Sequence, residues 1–120
     1  MKIAFPTTSA NGLDATIYEH FGRARTFVIV DTKSNEVQNV DNTSEHFGGK
    51  QAPPFFLKGL GVTTLICKGL GRKAIVYFEQ IGIDVYLTQN NSVKDALSAY
   101  KEDKLTLATE RDSCKEGRHH

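Results

Sequence analysis

The segment FFLKGLGVTTLICKGLGRKAIVYFEQIGIDVYL (residues 55–87) runs through the same order of features twice. FFLKGLGVTTLI (55–66) is an apolar helix end, a glycine, then a β-branched and aliphatic run; YFEQIGIDVYL (77–87) repeats that order. Two helix-to-strand units of this kind imply parallel strands joined by right-handed crossovers. Ala52, Phe55, Phe56 and Gly59 fall at i, i+3, i+4 and i+7, one face of a first helix. Pro53 and Pro54 are tolerable only in a first turn, so this helix is predicted to start late or to be distorted. Val62 to Cys67 reads as a strand. Ala74, Tyr77, Phe78 and Ile81 mark a second helix closed by Gly82 at its C′ position, and Asp84 to Thr88 is the strand that follows.

Working outward, Lys2 to Thr7 reads as a first strand, ended by Pro6 and a polar stretch. Thr26 to Asp31 (TFVIVD) is a continuous apolar run, the mark of a strand buried on both faces. Lys33 to Glu36 is turn-like and Glu36 to Asp41 is a weaker, more polar strand, so the two strands form a hairpin with the third at an edge. Ser92 opens a last helix, with Asp95 three residues on as a capping-box variant and Val93, Ala96, Leu97 and Tyr100 on its apolar face. The order β-β-β-α-β-α-β-α predicts an α/β domain: a mixed five-stranded sheet with an N-terminal hairpin edge and three helices against its faces. Residues 1–108 are expected to form one domain, and the polar residues 109–120 a flexible tail.

The bulk composition narrows the function. The 120 residues suit a single domain, with 39% hydrophobic and 24% charged residues. Net charge is +1, and the basic excess or stripe of a nucleic-acid binder is not visible. No apolar run approaches a membrane span, and MKIAFPTT lacks a signal-peptide profile. Cys67 and Cys114 do not make a disulfide framework. The expectation is a cytoplasmic protein with reduced thiols.

Four groups of residues could carry chemistry. The loop from Thr8 to Arg25 is long for a hairpin link, and loops of this size are often functional. It contains EHFGRA (19–24), where His20 could ligate a metal through a neutral imidazole, Gly22 lets the backbone turn, and Arg23 offers forked donors to an anion. Read structurally, Phe21 simply plugs the core and the charges are solvated. In the second group, Gly69-x-Gly71-x-x-Ala74 follows a strand and opens a helix, as in the dinucleotide fingerprint. The strand is the fourth rather than the first, and DVYLT ends in no acidic residue for a ribose, so a generic anion site at Gly69, Gly71 and Arg72 is a better reading than a dinucleotide site, and a plain tight strand-to-helix turn is the structural alternative. The third group is the thiols and imidazoles. Cys67 lies beside a helix N-terminus that would lower a thiol pKa, and Cys114, His119 and His120 lie in the tail; such ligands suit iron, zinc or an iron–sulfur cluster, although Cys-x4-His-His matches no structural zinc site, and a buried free cysteine is usually just a small hydrophobe. The fourth, His46-Phe47-Gly48-Gly49-Lys50, echoes His20-Phe21-Gly22-Arg23, an echo short enough to arise by chance.

Taken in order, KIAFPTT, HFGRA, the hairpin FVIVD…VQNVDN and GGKQAPPFFLKGLGVTTLICKGLGRKAIVYFEQIGIDVYL resemble the dinitrogenase iron–molybdenum cofactor-binding family, which includes NifX, NafY and the carboxyl-terminal part of NifB. The resemblance covers about residues 1 to 108; Pro53-Pro54 departs from the family's first helix. It implies an RNase H-like three-layer fold. It also implies a non-catalytic carrier that binds an iron–sulfur or iron–molybdenum-type cluster, or its precursor, and exchanges it with a donor or acceptor protein. Carried over by position, His20 and Arg23 come from HFGRA, and Gly69 and Gly71 from the turn; Cys67 and Cys114 are additional metal ligands on chemical grounds. A nuclease of this fold would need clustered carboxylates for its metal ions, and KIAFPTT has none. A metal-free module binding a small anion or a protein, through the edge strand for example, is the remaining alternative.

Overall fold

The computed structural model describes residues 1–44 and 52–109. His46 to Lys50 and Cys114, His119 and His120 therefore lie outside the described residues. Six strands form one sheet: β1 (Lys2–Thr7), β2 (Thr26–Asp31), β3 (Val37–Asp41), β4 (Val62–Cys67), β5 (Asp84–Leu87) and β6 (Thr106–Leu107). Their spatial order is β3-β2-β1-β4-β5-β6. β1, β4 and β5 are parallel, and β1–β2, β2–β3 and β5–β6 are antiparallel pairs. The expected five-strand count is thus corrected to six. Two residues are too short to show any alternation, and β6 is held through tertiary pairing of Tyr86 with Leu107 and Leu87 with Thr106. The packed chain continues to Thr109, which is buried and whose hydroxyl accepts the Val85 N–H at 3.1 Å.

Alternate residues of the central strands supply two cores. Ala4, Phe27, Ile29, Leu65 and Cys67 face one layer, where Leu57 of α1 (Pro53–Gly59) and Phe78 of α2 (Arg72–Gln80) meet them. Ile3, Phe5, Val28, Val30 and Ile66 face the other, covered by Val93, Ala96 and Leu97 of α3 (Val93–Lys101) and by Ala15 and Ile17. Both faces are covered, so the strands read as unbroken apolar runs rather than alternating ones.

The helix ends follow local chemistry. α1 begins at Pro53 with both prolines in its first turn, where a missing N–H breaks no helical bond, so it neither starts late nor distorts. Its buried side is Pro53, Pro54 and Leu57, with Phe56 packed partly buried against the core near Phe27; the expected Ala52–Phe55–Phe56–Gly59 face is corrected at Phe55, which is 41% exposed and turned to Tyr77, and at Gly59, which is exposed. α2 buries Phe78 but leaves Tyr77 at the surface, in edge contact with Phe55 at 5.4 Å between ring centroids. α2 ends in a Schellman motif: Gly82, with φ +81°, donates to the Glu79 carbonyl, and Ile83 donates to that of Phe78. At the start of α3 the Ser92 hydroxyl accepts the Asp95 N–H at 3.1 Å. In the hairpin turn Asp31 accepts the Lys33 N–H, which holds its carboxyl below the ordinary value.

Candidate cluster-binding site

The Thr8–Arg25 loop is an ordered structure folded back on the strand it leaves. Thr8 donates to the Thr16 carbonyl at 3.0 Å, and Tyr18 to that of Pro6 at 2.8 Å. Pro6 sits inside β1 opposite Phe27, beyond Ala4, the last residue of β1 paired with β4, so its missing N–H breaks no ladder bond to that strand. Ile17 donates to Asn91, and Val93 donates to Ala15, tying the loop to the start of α3. A 3-10 turn then spans Phe21–Arg23, closed by Arg23 N–H to the His20 carbonyl at 3.0 Å and Ala24 N–H to that of Phe21 at 3.2 Å.

Phe21 is the anchor of that turn. Its ring is buried against Phe27 and, edge-on, against Phe78, with centroids 5.7 and 5.6 Å apart. Burying Phe21 leaves its neighbours His20 and Arg23 exposed, and the His20 ring stands edge-on to Tyr18 at 5.6 Å. One residue type thus fixes the turn and the flanking types reach solvent.

The turn faces a second loop. Glu19, His20, Phe21, Gly22 and Arg23 line a cleft of about 560 Å³ together with Gly69, Leu70 and Gly71. The two walls leave the carboxyl ends of β1 and β4, which are adjacent and parallel, the usual place for a ligand crevice in an open α/β sheet. Four of the sequence-expected residues, His20, Arg23, Gly69 and Gly71, therefore share one cleft although about fifty residues separate them in the chain.

Neither steric crowding nor a left-handed backbone requires glycine at Gly69 or Gly71, although glycine is an acceptable N-cap at Gly71. A Cβ built on Gly69 or Gly71 meets nothing within 4 Å, neither is among the positive-φ glycines, and Gly71 has φ −64° and ψ 152°. The open space over both Cα atoms leaves this backbone free for a close approach by something other than this chain. Gly71 is also the N-cap of α2 and supplies no side-chain capping bond; the first turn of α2 holds no acid and begins with Arg72 and Lys73. The uncapped N–H groups at the positive end of α2 make this wall electropositive, with Arg72 and Lys73 close behind it in the chain.

Two expected residues lie elsewhere. Arg72 lines the neighbouring depression with Leu70, Ile75, Val76, Glu79 and Ala108, and not the large cleft. Cys67 is 1% exposed within the core beside Leu65 and Phe78. Desolvation pushes its thiol up to about 12 against the weaker lowering effect of the Gly69 backbone hydrogen bond. The expected activated thiolate is thus corrected: the helix N-terminus is near, but burial outweighs it. Among the described residues, no three His, Cys, Asp or Glu side chains converge to hold a metal ion. The polar groups of the cleft are therefore one imidazole, one guanidinium, the Glu19 carboxylate and backbone N–H groups, which offer an anionic cluster charge and hydrogen bonds and its metal atoms at most two side-chain ligands, His20 and Glu19.

The sequence model of the dinitrogenase iron–molybdenum cofactor family matches residues 1–103, a span that contains both walls of the cleft. The chain belongs to this family. An uncharacterized protein of Methanocaldococcus jannaschii is 31% identical over 110 residues, covering 88% of this chain and 89% of its own. Among solved structures, a NifB-like protein from Thermotoga superposes with a TM-score of 0.75 at 29% identity, over 91% of this chain and 94% of that one. The apo form of the orange protein from Desulfovibrio gigas superposes with a TM-score of 0.76 at 25% identity, over 89% and 92%. Membership places the chain in iron–molybdenum cofactor or nitrogenase-related biology. No helix among the described residues is long and apolar enough to cross a membrane.

Proposed function

We propose that the protein is a non-catalytic carrier of an iron–sulfur or iron–molybdenum-type cluster, or of its precursor, and that the cargo rests in the cleft between the His20 turn and the Gly69–Gly71 turn. The observation that carries this reading is the meeting of His20, Arg23 and two glycines with open space over their Cα atoms around one open cleft. In this reading the His20 imidazole bonds a metal atom of the cargo. The Arg23 guanidinium and the N–H groups at the start of α2 balance its negative charge. A single protein ligand, rather than four, suits a cargo that must leave again for an acceptor protein. The work is done in the cytoplasm, where clusters and thiols stay reduced. The strand order, with β2 reversed between β1 and β3, supports an RNase H-like reading of the fold.

Anaerobic incubation of apoprotein with a cluster donor, followed by absorbance and EPR titration, tests the proposal. Near-stoichiometric uptake is expected, and both His20→Ala and Arg23→Gln should weaken it by about tenfold or more, the scale of one charge-assisted contact. A wild-type protein that takes up no cluster contradicts the carrier reading; uptake indifferent to both substitutions removes these two residues from it.

A metal-free interaction module of the same fold is the second reading. It is favoured by Phe55, Val76 and Tyr77, large apolar side chains exposed together on α1 and α2. Partner capture that survives chelation and His20→Ala would support this reading over the first.

A further inference from the structure

Ala24 is buried between two exposed arginines, Arg23 and Arg25. The backbone beneath them is fixed by one side: the Asn42 side chain donates to the Ala24 carbonyl at 2.8 Å, and the Asn42 N–H donates to that of Arg25 at 2.8 Å. Opposite, Thr8 and Tyr18 are held by their own backbone bonds to Thr16 and Pro6. These walls enclose a second cleft of about 190 Å³, lined by Thr7, Thr8, Tyr18, Arg23 and Arg25. We propose that this second cleft is a binding site for a small tetrahedral oxyanion of the phosphate or sulfate class, gripped by Arg23 and Arg25.

The donor inventory points to an anion. Thr26 Oγ1 donates to the Thr7 carbonyl and lies 2.6 Å from Thr7 Oγ1, so the Thr7 hydroxyl spends its only proton on Thr26. The Thr8 and Tyr18 hydroxyls and two guanidinium forks remain as donors. No carboxylate lines this cleft, whereas Glu19 lines the larger one. The ion pairs Met1–Asp31 and Lys104–Glu102 involve neither arginine of this cleft. Two like charges brought to one small cleft repel each other until an anion joins them, and planar guanidinium forks match the oxygens of a tetrahedral anion. Size sets the class. At about 190 Å³ the cleft has room for a small ion but falls below the ~300 Å³ at which pockets for larger organic ligands begin.

Arg23 lines both clefts, but Arg25 lies outside the larger one, so substitution of Arg25 tests this site apart from the cluster reading. The test is an NMR titration of the full-length, isotope-labelled apoprotein with inorganic phosphate and with sulfate, ionic strength being held constant with chloride. Saturable shifts are expected at Thr8, Tyr18, Arg23 and Arg25. Arg25→Gln should weaken binding at least about tenfold with the fold unchanged, and should leave cluster uptake as it is. Shifts that chloride reproduces, or an Arg25→Gln titration equal to wild type, would overturn the proposal. A simple phosphate monoester serves as the last arm. Binding of the free anion at least as tight as the monoester is expected; a tenfold or greater preference for the monoester would overturn assignment to a free oxyanion.

Discussion

Cys67 and Phe21 show how much a residue's role depends on which way its strand or turn faces. Cys67 takes an inward position on β4, so its thiol is neutral and desolvated. Its folded-state pKa, about 12, lies above the ordinary value of 9.0. Folding therefore favours the protonated thiol: this contribution is intact below pH 9.0 and declines as pH rises towards about 12, because the unfolded chain ionises first. Urea unfolding of wild type and Cys67→Ala across that window should show the wild type losing its advantage as pH rises; a pH-independent difference would contradict the assignment. In a Cys114→Ser background, a thiol reagent near neutral pH should modify Cys67 only as the protein opens. Phe21 acts in the opposite sense, anchoring a turn whose other side chains are exposed. Phe21→Ala should cost about 3–5 kcal/mol in urea unfolding, the range for truncating a buried aromatic ring. Neither role follows from residue type alone: the sequence shows a thiol beside a helix start and a phenylalanine in a loop, while the depth of each is set by strands distant in the chain.

Among the elements, those with their own caps and periods were legible and those defined by partners were not. The helix-glycine-strand order of residues 55–87 predicts β4, α2 and β5, with Gly82 closing α2 as observed. The two-residue β6 was not readable, because nothing within Thr106–Leu107 distinguishes a strand from a loop. The exposure of Phe55 on α1 was missed because apolar spacing ranked it above two prolines that the fold buries. A pair of glycine substitutions separates structural from functional glycine. Gly82→Ala places a side chain at φ +81° and should destabilise by about 1 kcal/mol. Gly71→Ala, at φ −64°, meets no backbone strain but puts a poorer N-cap on α2, so it should cost no more than about 1 kcal/mol while lowering cluster uptake, since its Cβ would occupy space beside the cleft. Ser92→Ala, which removes the Asp95 cap, should cost about 1 kcal/mol without touching uptake. Equilibrium unfolding read alongside uptake checks all three.

At the scale of the whole molecule, the sheet's parallel core explains why separate sequence motifs become one site. β1 and β4 are neighbours in space with β2 and β3 between them in the chain, so HFGRA and the Gly-x-Gly turn emerge side by side at the same sheet edge. Each motif was visible in the sequence, and each was weak alone. Their convergence depends on strand order, which local patterning leaves open, and the second cleft was invisible because Thr7, Tyr18 and Arg25 share no spacing rule. Locating a bound cluster is the most direct test of the carrier account. Amide spectra of the labelled protein, recorded before and after anaerobic loading with a paramagnetic iron–sulfur cluster, should lose signals first at Glu19 to Arg23 and at Gly69 to Gly71, with β3 and α3 intact. Loss centred anywhere else on the described surface, or none after loading, would contradict it.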